Sequence, residues 1–411
     1  MKRLGYWFSE KKTKKLNLPE HELDFRAAGI ELVQLDVNRP LDEQGPFDAI
    51  LHKLADLQAH ADAGYVTEQQ QLANVKDYIN SHPECIVIDP LPSMVNLLDR
   101  YNQYKMVQES SLFQQDSDVF MPTFVELTSS DLDTNRRKLA EAQVTYPIVC
   151  KPSIAHGSKL SHKMAIVFTE AGLSDLVFPC VAQSFINHNA LLFKIYAVGD
   201  KYYIAERPSL KNFYAGDHKT IFFDTHNVSK RGCSHYLTIL DKADMERSPL
   251  EPDKEKLCDL GSKIRQVFDH DLFGVDVIMD SSTQRYAIID INSFPGYDEV
   301  DDFPSVLLQY LTERLDAKPA SITPDSNGDQ RLTGDLDCDS SSRKRLKPDL
   351  EAKTEPSERV NGEDTLNHIK TFESINGIHP FSSSLFRGKE SSVCSNRQLS
   401  DEFNRHTNGH H

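Results

Sequence analysis

Asp276, Asp290 and Asn292 are the residues whose types and spacing point most directly to chemistry. Asp276 lies in an apolar run, FGVDVIMD at 273–280. Asp290 and Asn292 lie in a second, RYAIIDINSFPGY at 285–297, with the polar SSTQ between the two. Two β-branched runs flanking a short polar break predict a β-hairpin. Side chains alternate faces along a strand, so Asp290 and Asn292 share one. With a turn closing near Thr283, Asp276 falls within about one residue of the position opposite Asp290. Two carboxylates and an amide oxygen on one face repel unless something positive lies among them. Hard oxygen donors with no His or Cys nearby favour Mg²⁺ or Mn²⁺ over zinc. The alternative is a solvated acidic face, which the apolar remainder of both strands argues against.

Cations stand at several strand ends. Lys151 closes YPIVCKP (146–152) and is followed by the small polar loop AHGSKLSH (155–162). A lysine there can set a point charge on a phosphate while loop N–H groups approach closely. Strand-end lysines are common, so Lys151 gains meaning only beside the acidic hairpin, because nucleotide phosphates need both a cationic clamp and a metal. SEKKTKK (9–15) directly follows the first strand, where ligands gather in α/β sheets. Four lysines in five positions, in a chain of net charge −16, point to a polyanionic small substrate. QSFINHNALLFK (183–194) runs from one strand through Asn-His-Asn into another and ends in Lys194. It has the character of a hinge whose backbone could pair with an adenine edge. RPSLKNF (207–213) and DTHNVSK (224–230) add hydroxyls and cations at loop positions. His162 and His188 read as hydrogen-bonded loop residues, and spacing alone makes neither a general base.

The elements that must carry these residues alternate. Residues 4–8, 30–36, 47–51 and 85–90 read as strands, and 62–80 as a polar helix. Pro19 suits a first helical turn and Gly29 the residue after a helix ends. Strand–helix–strand alternation predicts a mostly parallel sheet covered by helices. Ser93 is a plausible N-cap for a helix running through Arg100 towards residue 109. Strands are predicted at 146–152, at KMAIVF and at CVAQSFI, and a strand-rich region at 191–315 with a helix near 254–268. No internal repeat is visible. After Lys318 the composition turns to Ser, Asp, Asn, Thr and Pro, which predicts a disordered tail. Its basic cluster at 340–350 could serve nuclear import but reads rather as a charged patch in a solvated segment.

The 411 residues leave room for more than one domain. The net negative charge argues against general binding to nucleic acid or anionic membrane. Seven scattered cysteines, odd in number and without a CxxC pair, suggest free thiols in a reducing compartment rather than a disulfide frame or a zinc site. The N-terminus lacks the apolar core of a signal peptide, and no run is long enough to span a bilayer. A soluble, cytoplasmic protein with access to the nucleus is expected.

Several strings in order, from GYWFSEKK, HKLAD, DPLPSMVNLLDR and the Lys151 strand with AHG to QSFINHN, RPSLKNF, HNVSK, FGVDV and IDINSFPGY, together resemble the inositol-tetrakisphosphate 1-kinase (inositol 1,3,4-trisphosphate 5/6-kinase) family over residues 1–315. The resemblance implies an ATP-grasp fold: an N-terminal parallel α/β domain (1–110), a central ATP-grasp lobe (111–190), a C-terminal lobe with the metal hairpin (191–317), and the disordered tail (318–411). It implies that Asp276, Asp290 and Asn292 bind two Mg²⁺. Arg100, Lys151, Gln183, Ser184, Phe185, Ile186, Asn187, His188, Lys194, Ser209, Thr225 and Ser229 would contact ATP. Lys12, Lys53, His162, Lys194, Asn292 and Gly296 would hold the inositol phosphate, and Lys151, Lys194 and Asp290 would act most directly in catalysis. Thr225 stands where serine is expected and keeps the hydroxyl. The implied activity is in-line transfer of the γ-phosphoryl group to inositol tris- and tetrakisphosphates by a monomer, without a covalent intermediate. Two other readings share parts of the pattern: an ATP-grasp carboxylate–amine ligase, which has no need of lysines at 11–15, and a non-catalytic inositol-phosphate sensor or scaffold.

Overall fold

Three sheets organise the described residues, which in this computed structural model are 1–155, 159–232, 234–245 and 251–317. The tail at 318–411 lies outside them, as do residues 156–158 of the polar loop. The strands, in chain order, are β1 (Lys2–Trp7), β2 (Ile30–Gln34), β3 (Ala49–His52), β4 (Ile86–Ile88), β5 (Val119–Phe120), β6 (Phe124–Leu127), β7 (Ile148–Pro152), β8 (Lys163–Val167), β9 (Cys180–Ser184), β10 (Leu191–Val198), β11 (Lys201–Pro208), β12 (Ile221–Asp224), β13 (Leu272–Met279) and β14 (Tyr286–Ser293). Their orders are β2-β1-β3-β4, β12-β8-β7-β9-β6 and β11-β10-β13-β14-β5.

The first sheet is wholly parallel, as the alternation of elements predicts. Its central strand β3 is buried along its full length, the signature of a parallel sheet covered on both faces. The helix predicted at 62–80 is two helices, Ala55–Asp62 and Val66–Ser81. Gly64 separates them at φ +91°, a conformation that suits a residue without a Cβ.

A second break matters more for the site. Ser93 does not cap a long helix; it lies inside a short one, Leu91–Asn96. The chain restarts at Arg100–Glu109, where Asp99 is the N-cap and accepts from the Asn102 amide at 2.7 Å. Asp99 also bridges to Ile154, and the Arg100 amide donates to the Ser153 carbonyl at 3.0 Å. Arg100 is thereby delivered at a helix start directly against the end of β7. Asp99→Ala should cost about 1 kcal/mol of stability in a denaturant titration, the usual price of a lost cap.

The other two sheets are largely antiparallel. The helix Lys254–Phe268 forms where expected, buries Leu257, Leu260, Ile264 and Phe268, and packs on β10 and β11. Gly261 permits that approach, since a Cβ there would lie 2.6 Å from the Tyr202 ring. The region read as strand-rich also contains the helix Phe303–Asp316. Its buried Phe303, Leu307, Tyr310, Leu311 and Leu315 follow helical spacing. The stripe joins the N-terminal sheet's core through Leu4, Tyr6 and Tyr297.

The hairpin of β13 and β14 closes as its sequence demands. Asp280 accepts from the Ser282 amide at 2.9 Å, the Ser282 hydroxyl at 2.7 Å and the Thr283 hydroxyl at 2.7 Å, an Asx-type turn. Asp276 stands directly opposite Asp290. Just beyond, the register slips, so that Val277 faces Ile288 and Ile289 is left as an extra residue.

Candidate active site

A row of charge crosses three neighbouring strands. Lys194 on β10 pairs with Asp276 on β13, which pairs with Asp290 on β14, and cross-strand partners share a face. Lys194 Nζ lies 2.5 Å from Asp276 Oδ1. Arg100 Nε lies 3.4 Å from Asp290 Oδ1, and Asn292 Nδ2 donates to Asp290 Oδ2 at 3.1 Å. Burial on its own would raise the Asp290 pKa. Arg100, Lys151 and Lys194, with the Asn292 hydrogen bond, outweigh it and hold the carboxyl below its ordinary value.

The slipped register explains how Lys151 is held. Its ammonium is buried and donates to the Ile289 carbonyl at 2.6 Å, to Gln183 Oε1 at 3.0 Å and to the Tyr104 hydroxyl at 2.8 Å. Tyr104 in turn donates to the same Ile289 carbonyl at 2.6 Å. The bulge therefore turns a backbone acceptor of the β13–β14 hairpin towards the central sheet. Burial lowers the Lys151 pKa to about 8, against the pull of Asp290. Arg100 ties the same parts together, donating through Nη1 to the Pro152 carbonyl at 2.6 Å and through Nη2 to the Ser161 carbonyl at 3.2 Å.

Residues 185–190, which link β9 to β10, form a tightly bonded connection. Asn212 Oδ1 accepts from the amides of His188 (3.1 Å) and Asn189 (2.9 Å). His188 Nδ1 lies 2.6 Å from the Ile186 carbonyl, which can only accept, so Nδ1 carries the proton and Nε2 accepts from the Ser209 hydroxyl at 2.8 Å. Burial lowers the His188 pKa to about 4, consistent with this neutral ring.

On the other side of the hairpin the lysine cluster grips the segment after Asn292. Lys12 Nζ donates to the Pro295 carbonyl at 2.5 Å and sits 4.2 Å from the centre of the Phe294 ring. Lys53 donates to the Phe294 carbonyl at 2.9 Å, and Lys15 pairs with Asp298. A Cβ on Gly296 would meet Lys15 Nζ and Asp298 Oδ2. Burial, reinforced by Lys53 and Lys15, lowers the Lys12 pKa to about 6. Burial lowers Lys53 as well. Three lysine amines thus crowd a strand end two residues beyond the carboxylate face, an arrangement that a multiply charged anion would drive to its fully protonated form.

Residues 3–94 match the family profile described as the inositol 1,3,4-trisphosphate 5/6-kinase pre-ATP-grasp domain, and residues 113–313 the ATP-grasp domain of the same kinase. The chain belongs to the inositol 1,3,4-trisphosphate 5/6-kinase family. It is a kinase of the ATP-grasp fold, a family that uses ATP and a divalent metal. Inositol-tetrakisphosphate 1-kinase of Xenopus laevis is 42% identical over 329 residues, 79% of this chain and 82% of its own. That of Danio rerio is 41% identical over 316 residues, 76% and 79% of the two chains. Among solved structures, D-alanine–D-alanine ligase from Bacillus anthracis covers 77% of this chain and 97% of its own at 15% identity and a TM-score of 0.47, a remote likeness.

Within this kinase most of the residues expected at the site converge. Asp276, Asp290, Asn292, Lys194, Lys151, Gln183 and Arg100 lie around the hairpin, and Lys12, Lys53 and Gly296 around its end. Thr225 shares a hydrogen bond of 3.2 Å with His162 Nδ1, and Ser229 closes the short helix that Thr225 begins. Ser184 stands apart. Alternation turns it away from Gln183, its hydroxyl is 2.7 Å from that of Thr123, and its amide donates to the Thr123 carbonyl. Phe185 packs on Phe213 with ring centroids 5.4 Å apart. Among the described residues no three His, Cys, Asp or Glu side chains converge, so the oxygen donors here are two carboxylates and one amide. No described helix is long and apolar enough to cross a membrane.

Sequence reasoning missed two parts. Tyr104 stands four residues after Arg100 on one helix face, a spacing that could have flagged it. Arg207 grips Glu299 in a two-pronged pair (Nε to Oε1 3.1 Å, Nη2 to Oε2 2.6 Å) and also bonds the Tyr196 hydroxyl at 2.6 Å. That pair joins residues 92 apart, and no local signal announces it.

Proposed function

We propose that this kinase transfers the γ-phosphoryl group of ATP to inositol 1,3,4-trisphosphate, at the 5 or 6 position, and to inositol 3,4,5,6-tetrakisphosphate, at the 1 position. The observation that carries this reading is the junction of the Lys194–Asp276–Asp290 row with the Lys12, Lys15 and Lys53 cluster along one strand. A nucleotide triphosphate suits the first and an inositol phosphate the second.

The donor set fits hard divalent cations: two carboxylates and an amide oxygen, with Asp290 kept ionised by its surroundings. Asp276, Asp290 and Asn292 would hold two Mg²⁺, whose chemistry is to neutralise charge on the β- and γ-phosphates. Lys151 and Lys194 would add fixed positive charge there, and Asp290 would act through the metal it holds. Arg100, Ser209, Thr225 and Ser229 would meet ATP, as would the segment of Gln183, Ser184, Phe185, Ile186, Asn187 and His188 that leaves β9. The side chain and amide of Ser184 are engaged by Thr123, so neither is available to the nucleotide. Lys12, Lys53, His162, Lys194, Asn292 and Gly296 would hold the inositol phosphate. Rate then comes from alignment and charge neutralisation, so no nucleophilic side chain and no covalent intermediate are needed. The parts performing this are an N-terminal domain at 1–110, a central lobe at 111–190 and a C-terminal lobe at 191–317, working as a cytoplasmic monomer.

Purified chain incubated with Mg²⁺ and γ-³²P-labelled ATP should label both inositol phosphates. Absence of label in either substrate would overturn the reading.

A further inference from the structure

His162 does not stand alone. It precedes β8, whose first residue Lys163 pairs with Asp224 at the end of β12. Asp224 is bonded three ways: Oδ1 accepts from the His226 amide at 2.9 Å, lies 3.1 Å from His226 Nδ1, and Oδ2 lies 3.1 Å from Lys163 Nζ. Those bonds hold the imidazole of His226 against His162, edge to face, with centroids 4.1 Å apart and planes at 67°. The Thr225 hydroxyl meets His162 Nδ1 from the same short helix. His162 is thus located by two consecutive side chains of a segment that Asp224 anchors. Thr225 engages Nδ1 and His226 packs on the ring, so a ligand of His162 would be met through Nε2.

We infer that His226, anchored by Asp224, is a positioning residue for substrate binding: it acts through His162 by fixing the ring that receives an inositol phosphate group. The inference rests on the kinase reading above and on His162 facing the substrate. His226 is itself largely exposed, with 59% of its side chain accessible, so it contributes little to the core. An exposed imidazole held by a carboxylate against a second imidazole is the arrangement by which outer partners orient a binding residue. Burial lowers the His162 pKa, and His226 lowers it further; Arg100 acts in the same direction, while Asp224 and Asp290 oppose.

The test compares full-length wild type with His226→Ala, His226→Phe, His162→Ala and the double alanine variant. His226→Ala should raise KM for the inositol phosphate about tenfold while changing kcat and KM for ATP less than about threefold, the scale of a lost outer partner. His226→Phe, which keeps a ring edge against His162, should recover most of that loss. The double variant should match His162→Ala, because a residue acting only through another adds nothing once that other is gone. In parallel, an NMR titration of the histidine rings in the free protein should show the His162 pKa rising in His226→Ala. An unmoved His162 pKa, additive losses, or an unchanged KM in His226→Ala would overturn the inference, as would a His162→Ala variant with normal KM. Wild type that phosphorylates no inositol phosphate would instead overturn the kinase reading, and the NMR titration would still decide the positioning.

Discussion

Asp290→Asn should reduce phosphoryl transfer by on the order of 10³-fold while the protein stays folded, because a neutral amide cannot replace a carboxylate that binds a divalent cation beneath a triphosphate. The substitution keeps the shape of the side chain. Lys151 retains Tyr104, Gln183 and the Ile289 carbonyl, and Arg100 retains the Pro152 and Ser161 carbonyls, so neither buried cation is left without hydrogen bonds. Both lose their counter-charge, however, and stability should fall by about 1–3 kcal/mol, less than for a pair broken outright. The pH dependence follows from the depressed Asp290 pKa. Its ionised form stabilises the fold above the ordinary carboxylate range, and that contribution disappears as pH falls through the folded-state value. The variant's deficit should therefore shrink in acid. Steady-state kinetics with urea titrations at several pH values check both parts, and a variant that keeps wild-type turnover would remove Asp290 from the metal site.

Lys12→Met should have two opposite effects: weaker substrate binding and a more stable protein. The ordinary lysine value near 10.5 falls to about 6 here because the amine is buried beside Lys53 and Lys15. The unfolded chain keeps this proton up to about pH 10.5, whereas the folded chain releases it as pH rises through about 6. Burying the charge is thus most costly below pH 6, and the cost fades towards pH 10. Methionine fills a similar volume over the Phe294 ring without that cost. The melting temperature should rise by ~2–4 °C for each kcal/mol relieved, most strongly at acid pH. A phosphate beside the amine favours its charged form, so wild type should take up a proton on binding an inositol phosphate near pH 7.5. The variant should not, and its KM for that substrate should rise by at least about tenfold, the equivalent of ~1.4 kcal/mol. Thermal melts across pH, with calorimetry in buffers of different ionisation heat, measure both. An unchanged KM together with unchanged proton uptake would place Lys12 outside the substrate site.

The hairpin could be read from sequence because a period of two and an Asp-Ser-Ser-Thr turn fix which side chains face each other. That local pattern brings Asp276 within about one residue of the position opposite Asp290; the exact pairing is set by the slip that leaves Ile289 as an extra residue. What surrounds the pair could not be read in this way, because it comes from other strands. That Lys194 is the residue placed across from Asp276 depends on the pairing of β10 with β13, and the slip at Ile289 that gives Lys151 its acceptor leaves no trace in the residue types. The misplaced cap at Ser93 shows the limit of propensity. Ser93 has the right chemistry, but Asp99 is the residue whose carboxylate meets a free amide, and the interruption at 97–99 is what aims Arg100 at Asp290. The helix Phe303–Asp316 was legible in its apolar stripe but follows directly on the acidic run 298–302, which obscured its start. Asp89 was silent in the sequence; its carboxylate accepts from the Asp271 and Leu272 amides at 2.6 and 3.1 Å and ties the first sheet to the base of β13.

The central claim is that the oxygen donors of β13 and β14 hold divalent metal beneath the nucleotide, and Mn²⁺ electron paramagnetic resonance with a non-hydrolysable ATP analogue tests it most directly. Wild type should bind Mn²⁺ far more tightly with the analogue than without it, and the Asp276→Asn/Asp290→Asn double variant should lose that bound signal while retaining its fold. Equal Mn²⁺ binding by the double variant and wild type would contradict the account.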